Sequence, residues 1–248
     1  MQLRRALVLS GLIYLAAIAV IALKWDAIPD PVPMHVGPGG EVDRWSEKNF
    51  LSATAVTWIG VVISASMALC APKQSLAAAR REPSDEGALP NDALPYSESA
   101  SQRAQHLIDT ANTFLGTLLI ATSIVLALTQ VMMLFPDIVS PTLWWVFFGL
   151  YMVWVVVASI SLARTSRQNF DDIPADADEL QRVDALKQNA SMGFYSQPRD
   201  PMAVAVLPGE PGKLQINSAH PAGKQQLRRM GIGIGGSIVL VVLLAVIA

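Results

Sequence analysis

Between residues 24 and 49 the chain collects side chains that could do chemistry: His35 stands near Asp30 and Asp43, with Trp25, Trp45 and Lys48 close by. An imidazole and two carboxylates could supply nitrogen and oxygen ligands to a metal, or an acid and base pair. The same residue types would also suit recognition of a peptide or lipid. The plainest reading is structural, with His35 and Asp43 bonding backbone groups in a proline-rich turn and the two tryptophans at an interface. All three readings stay open on the residues alone. Residues 25–48 hold four prolines, three glycines and five carboxylates. Such prolines fix the backbone and glycines permit tight reversals, so the segment reads as a shaped loop and not a tether. A recognition surface would centre on Pro33, His35, Asp43 and Trp45, with Pro29, Asp30, Gly40 and Lys48 beside them. With 5 acidic and 3 basic residues over 24–49, it could attract a cationic amphipathic peptide.

The elements that must position this loop are apolar. Of 248 residues, 52% are hydrophobic and 15% charged, whereas a soluble domain carries about 25% charged residues. Five stretches, 6–23, 50–70, 113–135, 142–163 and 230–248, contain no Asp, Glu, Lys, Arg or His. At about 1.5 Å per residue each reaches roughly the 30 Å hydrocarbon thickness of a bilayer. The expected class is an all-α integral membrane protein, a five-helix bundle in the lipid bilayer with a small cytoplasmic insertion containing a β-hairpin. A central charge costs roughly 2.5–3.5 kcal/mol in a span, so charge-free spans also lack the material for an intramembrane proton relay.

Basic residues orient the bundle. Fifteen of the 18 Lys and Arg fall in 1–5, 71–112 and 164–229, and Lys24, Arg44 and Lys48 make up the rest. The positive-inside rule then places the N-terminus in the cytoplasm, the C-terminus outside, and loop 24–49 outside in a plasma membrane. Arg4 and Arg5 before an apolar run also fit a secretory signal peptide, but 18 uninterrupted apolar residues exceed the usual 7 to 15. The six-residue turn 136–141 makes spans 113–135 and 142–163 an antiparallel hairpin, with Trp144 and Trp145 at the outer interface.

The expected organisation is 1–70 for two spans and the outer loop, 71–112 for a cytoplasmic linker, 113–163 for the hairpin of spans, 164–229 for a cytoplasmic segment and 230–248 for the last span. Residues 71–102, rich in Ala, Pro, Ser and acids, read as a mobile linker, and 101–112 as an inward extension of the third span. In 171–188 acids alternate with Ala and Leu in helical fashion, as a solvated acidic face. Residues 194–195, 202–207 and 214–217 are short β-like runs separated by proline-rich turns. This module, 193–221, is too small to stand alone.

Several patterns carry less. Gly231-Ile-Gly233-Ile-Gly235-Gly236 spells a dinucleotide-binding motif but opens an apolar span with no βαβ context. Gly231 and Gly235 instead have the small-residue spacing that packs helices closely, within the bundle or in a homodimer. Asn189-Ala190-Ser191 fits a glycosylation pattern on the wrong side of the membrane. Cys70, the single cysteine, forms no internal disulfide. The net charge of −2 gives no field for nucleic acid, and no span holds a His to ligate haem. No cofactor, resident metal or catalytic residue is expected, and the chain reads as a non-enzyme. Thr113, Thr117, Thr122, Ser123, Thr129 and Gln130 leave a polar lining on the third span, which keeps a transport component as an alternative. A membrane enzyme using His35 and Asp43 is a third reading.

Two segments resemble known families. Ile28-Pro29-Asp30-x-Val32-Pro33-x-His35 followed by Gly40-x-x-Asp43-x-Trp45-x-x-Lys48, directly after a first span, is similar to the signature loop of the SdpI-type membrane proteins. Val36 stands where that family commonly has an aromatic residue. One branch of the family is associated with immunity to a secreted antimicrobial peptide toxin and with membrane sequestration of a repressor. The resemblance therefore implies an outer loop that meets an extracellular peptide or envelope ligand. Gly193-Phe194-Tyr195-x-x-Pro198-x-Asp200-Pro201, with Ile216-Asn217-x-Ala219-x-Pro221, resembles an uncharacterised module that often accompanies this loop, with Gln197 where Asn is usual. It implies that Tyr195, Pro198, Asp200, Pro201 and Asn217 meet a cytoplasmic regulator or transporter subunit.

Overall fold

The structure, a computed structural model, describes residues 3–37, 41–81, 92–187 and 192–247. Five helices are long and apolar enough to cross a membrane. In chain order the elements are α1 (Leu3–Leu23), β1 (Val32–Val36), β2 (Val42–Ser46), α2 (Phe50–Ala53), α3 (Ala55–Cys70), α4 (Glu98–Leu134), α5 (Pro141–Asp171), α6 (Ala177–Lys187), β3 (Phe194–Tyr195), β4 (Val204–Val206), β5 (Leu214–Asn217) and α7 (Pro221–Ile247). They divide into two compact units. The first gathers Met1–Leu69, Leu115–Val157 and Ile232–Ala248, and the second Cys70–Phe114 and Ala158–Gly231.

In the first unit α1 buries Ala6, Ser10, Tyr14, Ala17 and Ile21, a three- and four-residue spacing that marks one face. Val8, Leu9, Leu12, Leu15 and Leu23 are exposed, as helices in a lipid solvent would leave them. A Cβ on Gly60 of α3 would lie 2.6 Å from the Tyr14 hydroxyl, so this glycine lets α3 approach α1. The second apolar stretch is not one helix. Asn49 caps α2 through a reciprocal bond pair with Ser52, the chain turns at Thr54, and α3 begins afresh. A new helix start needs acceptors for its first N–H groups, and Oε1 of buried Gln130 on α4 takes those of Val56 (2.9 Å) and Thr57 (3.3 Å).

Four of the polar side chains on the third span are engaged within the protein. Gln130 caps a helix, Ser123 donates to the Leu119 carbonyl, Thr122 pairs with the Tyr151 hydroxyl, and Thr129 accepts from the Trp144 indole. Gln130→Leu keeps the side-chain bulk but strips both N–H groups of their acceptor. It should cost about 1–3 kcal/mol, read as a Tm several degrees lower for the full chain in detergent.

In the second unit β5 lies between β3, parallel to it, and β4, antiparallel. The three β-like runs of the sequence are thus strands, and 204–217 is the expected hairpin. The described part of 71–102, read as a mobile linker, is packed, and 101–112, read as an extension of the third span, lies within α4. Leu76, Ala77, Ala104, Leu107 and Ile108 form one core with Ala203, Val204, Val206 and Ile216. The segment supplies apolar cover that the small sheet needs and cannot provide itself. Its backbone also joins the run leading into β4, through an Arg80–Met202 bridge, Arg81 N–H to the Pro201 carbonyl (2.8 Å) and Leu94 N–H to the Arg199 carbonyl (2.8 Å).

The acidic helix α6 is not wholly solvated either. Glu179 is buried against Arg103, which stacks 4.0 Å over Phe170, and accepts from the Ser99 hydroxyl at 2.6 Å. Burial would raise the Asp176 carboxyl. The N–H groups of Glu179 and Ser99 and the side chains of Ser97 and Ser99 outweigh it and hold the group below its ordinary range.

Candidate functional site

Pro29, Pro31 and Pro33 argue against regular strand structure, yet β1 and β2 form an antiparallel ribbon with an irregular register around His35. Two small sheets therefore qualify the all-α class. A two-stranded ribbon leaves one backbone edge of each strand free, which is where a proline without an N–H can sit. The ribbon is anchored from below. Ile28 and Val32 pack with Ile21, Ala53, Leu134 and Phe135, with Trp25 and Met34 against them. Lys48 closes the loop at its base by donating to the Ile28 carbonyl (2.8 Å), its ammonium 5.5 Å from the centre of the Trp25 ring.

On this frame His35 Nδ1 donates to Asp43 Oδ1 at 2.6 Å. Both side chains are more than half exposed, at 61% and 55%. In the neutral imidazole this bond places the proton on Nδ1 and leaves Nε2 as the acceptor. The predicted pairing is thus side chain to side chain, not side chain to backbone. Trp45 opposes Pro33 in the register and is exposed. Pro29 and Asp30 are exposed, Pro33 is buried, and Lys48 is turned inward to its clasp. Asp30 makes no contact with the His35–Asp43 pair that would join it to them, and among the described residues no three His, Cys, Asp or Glu side chains gather as a metal group. Gly40 lies outside the described residues, as does the 189–191 glycosylation pattern.

Beneath the ribbon is a cavity of about 350 Å³. Met34 and Val36 of β1 face it together with Met132 and Met133 of α4 and Trp144 and Trp145 of α5. Sequence reading placed Trp144 and Trp145 at the outer interface and missed the cavity. The available signal was the short 136–141 turn, which brings the end of α4 and the start of α5 to the same level as the loop.

The second set of predicted residues behaves differently. Tyr195, Asp200 and Asn217 are 2%, 0% and 0% exposed, so they are not available to touch a partner. Asp200 pairs with buried Arg182 and accepts from the Tyr195 hydroxyl (2.7 Å). Burial and the Asp200 charge push the Tyr195 phenol well above its usual range, and the Asp200 carboxylate keeps the Arg182 guanidinium charged despite its burial. Asn217 donates to the Gln197 and Met202 carbonyls and accepts from the N–H groups of Gln197 and Ala219. Pro201 is buried and only Pro198 is exposed. These residues hold the sheet together. A Cβ on Gly231 or Gly235 would meet nothing within 4 Å, while between them the Gly233 carbonyl accepts from the Ser66 hydroxyl of α3 at 3.0 Å.

No curated protein and no solved structure matches the chain significantly. Residues 12–60, which run from within α1 through the ribbon and its base into α3, match the family model of a domain of unknown function, DUF1648.

Proposed function

We propose that this chain is a non-enzymatic membrane protein of sensing or immunity type, whose β1–β2 ribbon stands outside the cell membrane and meets a cationic amphipathic peptide. The observation that carries the reading is the anchored ribbon. It presents the His35–Asp43 pair and the Trp45 ring to solvent on a backbone already fixed by the cluster around Ile28 and Val32. Preorganisation of this kind lowers the ordering cost of binding, and an exposed tryptophan beside hydrogen-bonding groups is a common binding anchor. The loop's excess of carboxylates favours a cationic partner. The likeness of the loop to the SdpI-type signature supports the same assignment, as does the gathering of basic residues in 1–5, 71–112 and 164–229, away from the loop.

The test uses cells expressing the full chain and challenged with cationic membrane-active peptides. Expression should raise the peptide concentration needed to permeabilise them. The combined substitution His35→Ala, Asp43→Ala and Trp45→Ala should return the cells to the level of those lacking the protein, with apparent affinity lowered roughly ten- to hundredfold. Equal sensitivity of wild type and variant, with both present in the membrane, would sink the reading.

A further inference from the structure

We propose that the cavity beneath the ribbon seats one large apolar side chain of a cationic peptide, the ligand class assigned to the ribbon in the preceding reading, on which this inference rests. The cavity has a built shape. Its roof is the underside of β1, its walls are the end of α4 and the start of α5, and Val56 of α3 closes it. Met34, His35 and Val36 all border the cavity, the two apolar side chains half-buried and the His35 ring held at Nδ1 by Asp43.

The chemistry of the walls selects an apolar occupant. The one wall hydroxyl, on Thr129, is already committed, donating to the Val125 carbonyl and accepting from the Trp144 indole, each at 2.8 Å. His35 is the one titratable side chain among the lining residues and its Nδ1 is engaged by Asp43, and the volume lies at the small end of ligand cavities, which run from about 300 to 1,000 Å³. Three methionines among the walls give a surface that reshapes itself around side chains of different form. One large side chain fits this description.

Charge at the rim decides between a peptide and a lipid. Loop 24–49 carries five carboxylates against three bases, and one of those bases, Lys48, is folded back on Ile28 and Trp25. The loop's net negative charge repels an anionic phospholipid, whereas a lysine-rich peptide brings ammonium groups and is attracted.

The experiment is photocrosslinking of the full chain in nanodiscs of phosphatidylcholine and phosphatidylglycerol. The probe is a short amphipathic lysine–leucine peptide with one benzophenone side chain. Adducts should map to Met34, Met132 or Met133. Met133→Trp and Met34→Trp fill the cavity from different walls, so one can fail to fold without spoiling the test. Each folded variant should lower the yield roughly tenfold, the equivalent of 1.4 kcal/mol, while Phe147→Ala on the exposed side of α5 should not. Adducts spread over the exposed helix faces and unmoved by cavity filling would mean bilayer partition and overturn the proposal. So would a phospholipid chain that occupies the cavity and is not displaced. If cavity filling changes nothing while the His35, Asp43 and Trp45 substitutions abolish crosslinking, the ribbon reading stands and the cavity proposal falls. If no hairpin substitution matters either, both fall.

Discussion

Asp200→Ala will destabilise the second unit by about 3–5 kcal/mol, the cost of stranding a buried charge. Asp200 and Arg182 are 0% and 1% exposed, and the carboxylate accepts from Arg182 Nε at 3.1 Å and Nη2 at 2.8 Å. It also takes the Tyr195 hydroxyl and the Met202 N–H. Truncation strips the buried guanidinium of both its hydrogen-bonded carboxylate oxygens, leaving only the field of Glu179, and leaves the Tyr195 phenol with the Met202 carbonyl at 3.5 Å alone. A domain's whole stability is only about 5–15 kcal/mol, so this single loss consumes a large part of it. The measurement is denaturant unfolding of the full chain in detergent, with limited proteolysis reporting on 158–231. The double substitution Arg182→Met with Asp200→Ala should be more stable than Asp200→Ala alone, because it removes the stranded charge. If the single variant unfolds no more readily than wild type, the pair is not structural and its assignment to a partner surface regains its basis.

Gly223→Ala should be nearly as damaging, by a steric route. Gly223 is the third residue of α7, and a Cβ there would sit 2.0 Å from the Asn217 carbonyl oxygen and 2.9 Å from its carbon. Those are backbone atoms at the end of β5, and they cannot rotate aside. The oxygen already accepts the His220 N–H, and the Asn217 side chain is tied to residues 197, 202 and 219. Relief requires α7 to move off the sheet, at about 3 kcal/mol or more. Gly231→Ala on the same helix provides the contrast, since its Cβ meets open space. It should be neutral, or stabilising by up to about 1 kcal/mol through helix propensity. Equal Tm values for the two variants would contradict the account.

The five apolar helices were legible because hydrophobicity over 18 or more residues is a local property. So were the strands at 194–195, 204–206 and 214–217, each framed by proline-rich turns. That the outer loop is shaped was legible from its prolines and glycines, whereas the side-chain bond between His35 and Asp43 was one of several open readings. What escaped depends on partners distant in sequence. Gln130 looked like a polar lining because nothing nearby shows that α3 restarts at Ala55 and needs an acceptor. Asp200 and Tyr195 looked like surface residues because polar groups in a short loop usually are, and Arg182 on a different element is what makes their burial tolerable. Leu76 and Ala77 sat in a segment with no apolar period, yet pack on strands more than 120 residues away. The ribbon itself was hidden by Pro33, which occupies an edge position that composition cannot distinguish from a turn.

The backbone ties of residues 80–81 and 94 to the run 199–202 have a consequence for how the second unit meets other proteins. The three-residue strand β4 continues from a run whose polar groups are already engaged, and at the opposite border β3 has two residues. Neither border offers the length of unsatisfied backbone that an incoming strand from another chain needs. The sheet is thereby guarded against edge-to-edge aggregation, and a regulator that recognises this unit has to read side chains such as those on the outer surface of α6.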